Sequence, residues 1–126
     1  MTEKEQFIDK LKQRTTAFAV DVIHFCESLL KNKASAVITY QLVKSATSTG
    51  ANYRSACRAR SKPEFLSKLC IVVEEADETE YWFEIIKEAN LTSDAKELER
   101  LIREANEITK IMTKAKDTAI KNKQTK

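Results

Sequence analysis

The feature that most constrains this chain is its near lack of helix-breaking residues. Its 126 residues include one glycine, Gly50, and one proline, Pro63. Both residue types interrupt helices and mark turns, and average proteins contain several times more of each. With 33% charged and 42% hydrophobic residues, the composition favours a few long helices over a sheet, which needs frequent turns. The length is that of one domain, so we predict a single all-α domain over residues 1–126.

Four segments show apolar residues at alternating spacings of three and four, which is typical of one face of an α-helix. The N-cap candidates are Thr2, Ser35, Ser61 and either Thr92 or Ser93. Thr2 and Ser61 are each followed three residues later by Glu, the capping-box pattern. Helices are therefore predicted over about residues 3–31, 35–60, 62–90 and 93–121. Because the connections are short, the helices should form an antiparallel up-down-up-down four-helix bundle.

The apolar spacing also predicts which side of each helix faces inward. The inward residues expected in helix 1 are Ile8, Leu11, Thr15, Phe18, Val22, Phe25 and Leu29. Those expected in helix 4 are Ala95, Leu98, Ile102, Ala105, Thr109, Met112 and Ala119. Helix 3 is apolar on more than one side, and a bundle covers only one side well. We therefore predict a self-association surface that contains Tyr81, Trp82 and Ile85.

Helix 2 is small and polar in its middle, residues 45–50, where we expect a tight crossing with a neighbouring helix. An antiparallel turn near residue 61 brings this region level with Glu75, Glu78 and Thr79. We predict a structural polar layer that consists of Lys44, Ser45, Ser48, Asn52, Glu75 and Glu78. A carboxylate-bridged metal site is the alternative for the two glutamates. Such sites in bundles use Glu-x-x-His, which is absent, so an ion pair with Lys44 is favoured.

No residue pattern predicts an enzyme, a metal site or a cofactor. The lone His24 has no second His or nearby Cys, and the serines of helix 2 have no base within sequence reach. Three widely spaced cysteines, Cys26, Cys57 and Cys70, fit neither a disulfide framework nor zinc ligation, so we expect small buried hydrophobes. The N-terminus lacks a signal peptide and no apolar run reaches the roughly 18 residues of a membrane span. The expected location is cytoplasmic, without a membrane partner.

Charge is distributed unevenly. Residues 74–88 carry seven carboxylates against Lys87, whereas residues 110–126 carry six lysines against Asp117. A basic tail of this kind serves either to bind an anionic partner or only to solvate a helix end, and the sequence leaves both open.

One long segment, QLVKSATSTGANYRSACRARSKPEFLSKLCIVVEEADETEYW, resembles the bacterial four-helix-bundle proteins known as 23S rRNA-intervening-sequence proteins. The resemblance covers residues 14–91, and helix 4 matches in pattern only. The residues that carry it are Ser45, Ser48, Gly50, Ala51, Asn52, Tyr53, Arg54, Glu64, Phe65, Lys68, Leu69, Glu75, Ala76, Glu78, Tyr81 and Trp82. The chain has Lys44 where arginine is common in the family, Ala46 where glycine is common, and Ser55 where glutamate is common.

The resemblance implies a ring-like homopentamer. Related proteins, the accessory variability determinants of diversity-generating retroelements, are basic pentamers that bind nucleic acid and a reverse transcriptase. By this resemblance, the expected partners are further copies of the chain, RNA or DNA, or another protein. Without a glutamate at position 55, Arg54 and Arg58 are less neutralised and better suited to an outside anion.

Two hypotheses of function follow. The first is an oligomeric nucleic-acid-binding or accessory protein without enzymatic activity, whose Arg54, Arg58, Arg60 and Lys62 contact phosphates. The second is a structural or protein-interaction scaffold with no nucleic-acid role. No motif for reading a base sequence is present, so neither the cognate partner nor the number of subunits follows from the residues alone.

Overall fold

The structure, a computed structural model, describes the backbone of residues 1–125 and the side chains of residues 1–122. This part of the chain contains four α-helices: α1 (Glu3–Phe25), α2 (Lys33–Cys57), α3 (Lys62–Glu88) and α4 (Ala95–Thr125). A 3-10 turn at Cys26–Ser28 follows α1. No strand occurs in the described residues, where a lone antiparallel bridge joins Leu29 to Thr92. The predicted all-α fold with four helices is confirmed.

Side-chain contacts show that successive helices are antiparallel. Thr15 of α1 lies against Gly50 of α2, and Cys26 lines one cleft with Thr39, so these contacts run in opposite directions along the two helices. The short connection between α2 and α3 turns the chain back, and the Thr79 hydroxyl of α3 hydrogen-bonds Ser45 Oγ of α2 at 2.9 Å. Two contacts between α3 and α4, Lys87–Glu99 and Glu80–Asn106, likewise run in opposite directions along the two helices. The end of the bundle that contains the α2–α3 turn therefore also contains the N-terminus of α1 and the C-terminal part of α4.

The core forms where the inward stripes meet. Six of the seven residues predicted to face inward on helix 1 are buried, Leu29 among them although it lies beyond the end of α1, and Ile8 is half-buried near the helix start. The α4 stripe differs from the prediction, because Leu101 and Ile108 are buried while Ile102 and Thr109 are half-buried. The three cysteines are half-buried and free, rather than fully buried as expected.

Local hydrogen bonds explain where the helices begin. Thr2 and Glu5 form the predicted reciprocal capping box at α1. At α3, Ser61 accepts from the Glu64 N–H as predicted, whereas the Glu64 carboxylate accepts from the Arg60 N–H instead of the Ser61 N–H. These bonds satisfy backbone donors that have no partner within the helix.

Two predicted caps are wrong. The cap of α2 is Asn32, whose Oδ1 accepts from the Ser35 N–H at 2.8 Å, so the helix starts earlier than predicted. The cap of α4 is Asp94, whose Oδ1 accepts from the Glu97 N–H at 3.1 Å. Asn and Asp accept such a bond as well as Ser and Thr do, so the sequence contains more than one possible N-cap residue near the start of each of these two helices.

The end of α3 is set by Asn90, which has φ 55°. The Leu91 N–H donates to the Ile86 carbonyl, and the Asn90 N–H donates to the Lys87 carbonyl. This Schellman pattern satisfies two carbonyls that the helix leaves free, and Asn tolerates the left-handed conformation better than most residues. The first α-helix ends at Phe25, before its predicted end near residue 31, because the chain tightens into the 3-10 turn.

The middle of α2 is the predicted tight crossing. A Cβ added at Gly50 would lie 3.1 Å from Thr15 Oγ1 and 3.3 Å from Thr15 Cβ. These distances leave almost no room for a side chain, so α1 and α2 approach this closely because position 50 is glycine.

Candidate functional site

The four cations predicted to contact nucleic acid lie around the α2–α3 turn, and all four are exposed. Arg54 is in the last turn of α2, and its Nη2 donates to Thr16 Oγ1 of α1 at 3.2 Å. Arg58 caps α2, Arg60 lies in the turn and Lys62 begins α3. Within the described part of the chain, none of the four forms an ion pair.

The antiparallel arrangement concentrates further cations at this end of the bundle. At the level of the Thr15–Gly50 contact, the bundle divides into two halves. The half with the turn, here called the basic end, consists of residues 1–14, 51–73 and 112–122. It carries 12 Lys and Arg against 5 Asp and Glu. The other half, the acidic end, consists of residues 15–50 and 74–111 and carries 8 against 14.

The basic tail of α4 contributes to the basic end. Lys114, Lys116 and Lys121 belong to the described side chains, whereas Lys123 and Lys126 lie outside them. Since α4 is antiparallel to α3, these lysines are at the same end as the α2–α3 turn. The sequence shows the two basic segments separately, and the fold brings them together.

Ion pairs elsewhere join carboxylates to Arg and Lys. Arg14 contacts Glu104 through two nitrogens at 2.7 and 2.8 Å, and Arg100 contacts both Glu97 and Asp21. The hydrogen bonds that Arg14 donates to Glu104 raise the pKa of Arg14, and those that Arg100 donates to Glu97 lower the pKa of Glu97. The Arg14–Glu104 and Arg100–Asp21 pairs tie α1 to α4, so we interpret them as structural.

The predicted polar layer is divided by the fold. Ser45 is buried and bonded to Thr79, as the register predicted. Ser48, Asn52, Glu75 and Glu78 are half-buried; Asn52 donates to the Ser48 carbonyl, and Glu78 accepts from Trp82 Nε1 at 3.1 Å.

The favoured ion pair of Lys44 is wrong for the single chain. Lys44 is exposed and, among the described residues, forms no ion pair with Glu75 or Glu78. The physical reason is helical geometry, because consecutive residues differ by about 100° around the axis. With Ser45 turned into the core, Lys44 lies on the outer side of α2.

The predicted self-association residues are on the outer side of α3. Tyr81 is 51% exposed, and its ring contacts the half-buried Trp82 edge to face, with centroids 5.0 Å apart. Ile85 is half-buried. The sequence reasoning missed other exposed apolar residues, on α1, α2 and the segment between them: Phe7, Val20, Ile23, Leu30, Val37 and Tyr40. The sequence could have indicated these residues, since each is an apolar residue that lies off the inward stripe or beyond the packed part of its helix.

The described residues contain neither a metal-binding cluster nor a membrane-spanning helix. No group of three or more His, Cys, Asp or Glu side chains there is arranged to hold a metal ion. No helix in the described chain has the length and apolarity that crossing a membrane requires. Burial raises the pKa of the Cys26 thiol, which disfavours the nucleophilic thiolate.

Comparison with curated proteins finds no match. A crystal structure of a protein of unknown function from the S23 ribosomal protein family of Bacteroides thetaiotaomicron VPI-5482 is similar, with a TM-score of 0.76 and 31% sequence identity. The similarity covers 87% of this chain and 97% of that one. Neither this structure nor the matching family model indicates an enzyme. The model that matches, over residues 9–114, describes the 23S rRNA-intervening sequence protein. The chain therefore belongs to the 23S rRNA-intervening sequence protein family.

Proposed function

We propose that this protein is a self-associating helical bundle without enzymatic activity, and that it binds the phosphate backbone of RNA or DNA through its basic end. The observation that carries the proposal is the separation of charge along the bundle. The end with the α2–α3 turn has 12 Lys and Arg against 5 carboxylates, although the whole chain has a net charge of only +3.

The exposure of the four turn cations, and their lack of ion pairs, favour the binding of an anion from another molecule. Arg54, Arg58, Arg60 and Lys62 are exposed and lack ion pairs within the described chain. Residues 28–63 contain seven Lys and Arg and no carboxylate, and the next carboxylate, Glu64, accepts from the Arg60 backbone N–H rather than from a turn cation. Phosphates bound there would release condensed counterions, which favours binding without regard to base sequence.

Self-association would strengthen such binding. One basic end makes few contacts, whereas copies assembled in a ring present it repeatedly to one nucleic acid and gain from high effective concentration. We therefore propose a homo-oligomer, with the homopentamer implied by the family resemblance as the expected form.

The proposal is tested by measuring binding to RNA and DNA duplexes at several salt concentrations. The logarithm of the affinity should fall linearly with the logarithm of the salt concentration, by about 0.9 per phosphate neutralised on DNA. The double variant Arg54→Glu with Arg58→Glu should weaken binding about tenfold or more at 50 mM salt and reduce the slope by about 2.

A matched control separates a local contact from net charge. Lys96→Glu with Arg103→Glu makes the same charge change with exposed residues on the acidic end. This variant should bind nearly as well as the unchanged protein. Equal losses in the two double variants, or no salt-dependent binding by the unchanged protein, would rule out the basic end as the interface.

A scaffold without a nucleic-acid role is the second candidate. The observation that favours it is the acidic end, with 14 carboxylates against 8 cations, which could bind the basic end of another copy. In that case, charge reversal at Arg54 and Arg58 should lower the mass of the assembly in light scattering. Nucleic acid should bind neither the variant nor the unchanged protein.

A further inference from the structure

Two separate apolar faces remain exposed on the described chain. The first, here called the α1–α2 face, contains Val20, Ile23, Leu30 and Tyr40. The second, the α3 face, contains the exposed Ile71 and Tyr81 and the half-buried Trp82 and Ile85. Tyr40 is 64% exposed, Leu30 49% and Tyr81 51%, although large apolar side chains gain most from burial.

The residues of the first face lie around an open cleft between α1 and α2. Cys26, at the C-terminal end of α1, and Thr39 of α2 both line this cleft. Ile23 is three residues before Cys26 on α1, and Tyr40 follows Thr39 on α2. Leu30 borders the same open cleft as Cys26 and Thr39. Leu30 therefore lines the cleft, Ile23 and Tyr40 are exposed close to residues that line it, and Val20 is one helical turn before Ile23.

Helical spacing groups the residues of the second face. Ile71, Trp82 and Ile85 are separated by eleven and three residues, which places them on one side of α3. Tyr81 lies beside this stripe, and its ring contacts Trp82. The face is on the side of α3 away from the α4 contacts of Glu80 and Lys87.

The two faces have opposite charge. Lys31 and Lys33 lie along the cleft of the α1–α2 face, where Glu27 is the one carboxylate among the lining residues. The α3 face includes Glu74 and Glu78, on the same side of α3 as the apolar stripe. Within the described chain these two carboxylates form no ion pair.

We propose that the α1–α2 face of one copy docks on the α3 face of a second copy, in a head-to-tail contact. This inference rests on the self-association in the proposed function and specifies which surfaces meet. Apolar residues would cover one another, while Lys31 and Lys33 approach Glu74 and Glu78. A symmetric contact between two α3 faces would instead bring like charges together, which is unfavourable.

The head-to-tail geometry has a consequence for assembly. Each copy uses two different surfaces. An open row of copies therefore has an unoccupied α1–α2 face at one end and an unoccupied α3 face at the other. Such contacts produce a closed ring when the rotation per copy closes, and a filament when it does not. A twofold pairing would stop at a dimer.

Mixing two variants tests this arrangement by light scattering without nucleic acid. Tyr40→Glu disrupts only the α1–α2 face, and Tyr81→Lys disrupts only the α3 face. Each variant alone should be a monomer of 14.4 kDa. An equal mixture should form a species of about twice that mass, because the intact α3 face of the first variant can bind the intact α1–α2 face of the second.

Both tyrosines are exposed, and circular dichroism checks that each variant remains helical. Thr113→Glu, an exposed change on α4, is the control and should leave the assembly of the unchanged protein intact. A mixture that stays monomeric would overturn the proposal. So would a monomeric unchanged protein, or one tyrosine variant that still assembles alone. Because nucleic acid is absent, these outcomes are independent of whether the basic end binds phosphate.

Discussion

At the residue scale, Gly50 and Thr15 determine how closely α1 and α2 approach. Thr15 is 1% exposed, and its hydroxyl donates to the Lys12 carbonyl at 3.0 Å, which restricts its side chain. A methyl group at position 50 would contact this fixed side chain rather than a flexible one. The helix would therefore have to shift to accept it.

Gly50→Ala is expected to destabilise the protein despite the higher helix propensity of alanine. The propensity gain is about 1 kcal/mol, whereas overpacking a close contact costs about 1–3 kcal/mol. The expected net loss in the free energy of unfolding is about 1 kcal/mol, measured by urea denaturation.

Two further variants show whether the contact with Thr15 is the cause. In a Thr15→Ala background the loss at position 50 should shrink, since the closest atom, Thr15 Oγ1, is removed. Ala51→Gly, at the neighbouring exposed position, measures the propensity term alone and should cost about 1 kcal/mol. A stabilising Gly50→Ala would contradict the close-approach interpretation.

Cys26 provides a prediction about reactivity. Burial raises the pKa of its thiol above the usual 9.0, so the folded protein holds less thiolate at any pH near this value. A variant with Cys57→Ser and Cys70→Ser should be alkylated by iodoacetamide at pH 8 severalfold more slowly when folded than in guanidinium. Equal rates in the two states would show that the thiol is neither shielded nor shifted.

At the element scale, the start of α4 depends on Asp94. Asp94→Ala removes the acceptor for the Glu97 N–H and should lower the free energy of unfolding by about 1 kcal/mol. Ser93→Ala is the matched comparison, because the exposed Ser93 hydroxyl makes only a 3.3 Å contact with the Ser28 carbonyl. If both variants lose the same stability in urea denaturation, Asp94 is not the cap that matters.

The elements themselves were predictable because α1 has a clear stripe. Leu11, Phe18, Val22 and Phe25 recur at spacings that only one face of a helix satisfies, and all are buried. The α4 stripe was ambiguous. Leu101 and Ile102 are both apolar, and each continues the spacing from Leu98, by three and by four residues. The packing of α4 against α3 turns Leu101 inward, which local spacing does not determine.

At the scale of the whole molecule, the sequence showed the acidic and basic segments but not their positions. Arg58 and Lys114 are 56 residues apart, and only the antiparallel fold puts them at the same end. The candidate oligomer surface was predicted on α3 alone, since helix 3 is the one whose sequence is apolar on more than one side. Tyr40 is a single aromatic residue off the inward stripe of helix 2, and its exposure depends on how α1 and α2 pack.

A charge exchange tests whether the two exposed faces meet through complementary charge. Lys31→Glu with Lys33→Glu should weaken self-association, and so should Glu74→Lys with Glu78→Lys, because each brings like charges together across the proposed contact. Combining all four changes restores opposite charges and should recover much of the assembly in sedimentation velocity at low salt. The differences should shrink as salt rises, since exposed charges are screened beyond about 10 Å at 0.1 M ionic strength. Recovered assembly would mean that the exchanged charges attract one another. Within one copy, Lys33 begins α2 whereas Glu74 lies mid-way along α3, so we expect this attraction to act between copies. A fourfold variant that is no better assembled than either double variant would place the contact elsewhere on the bundle.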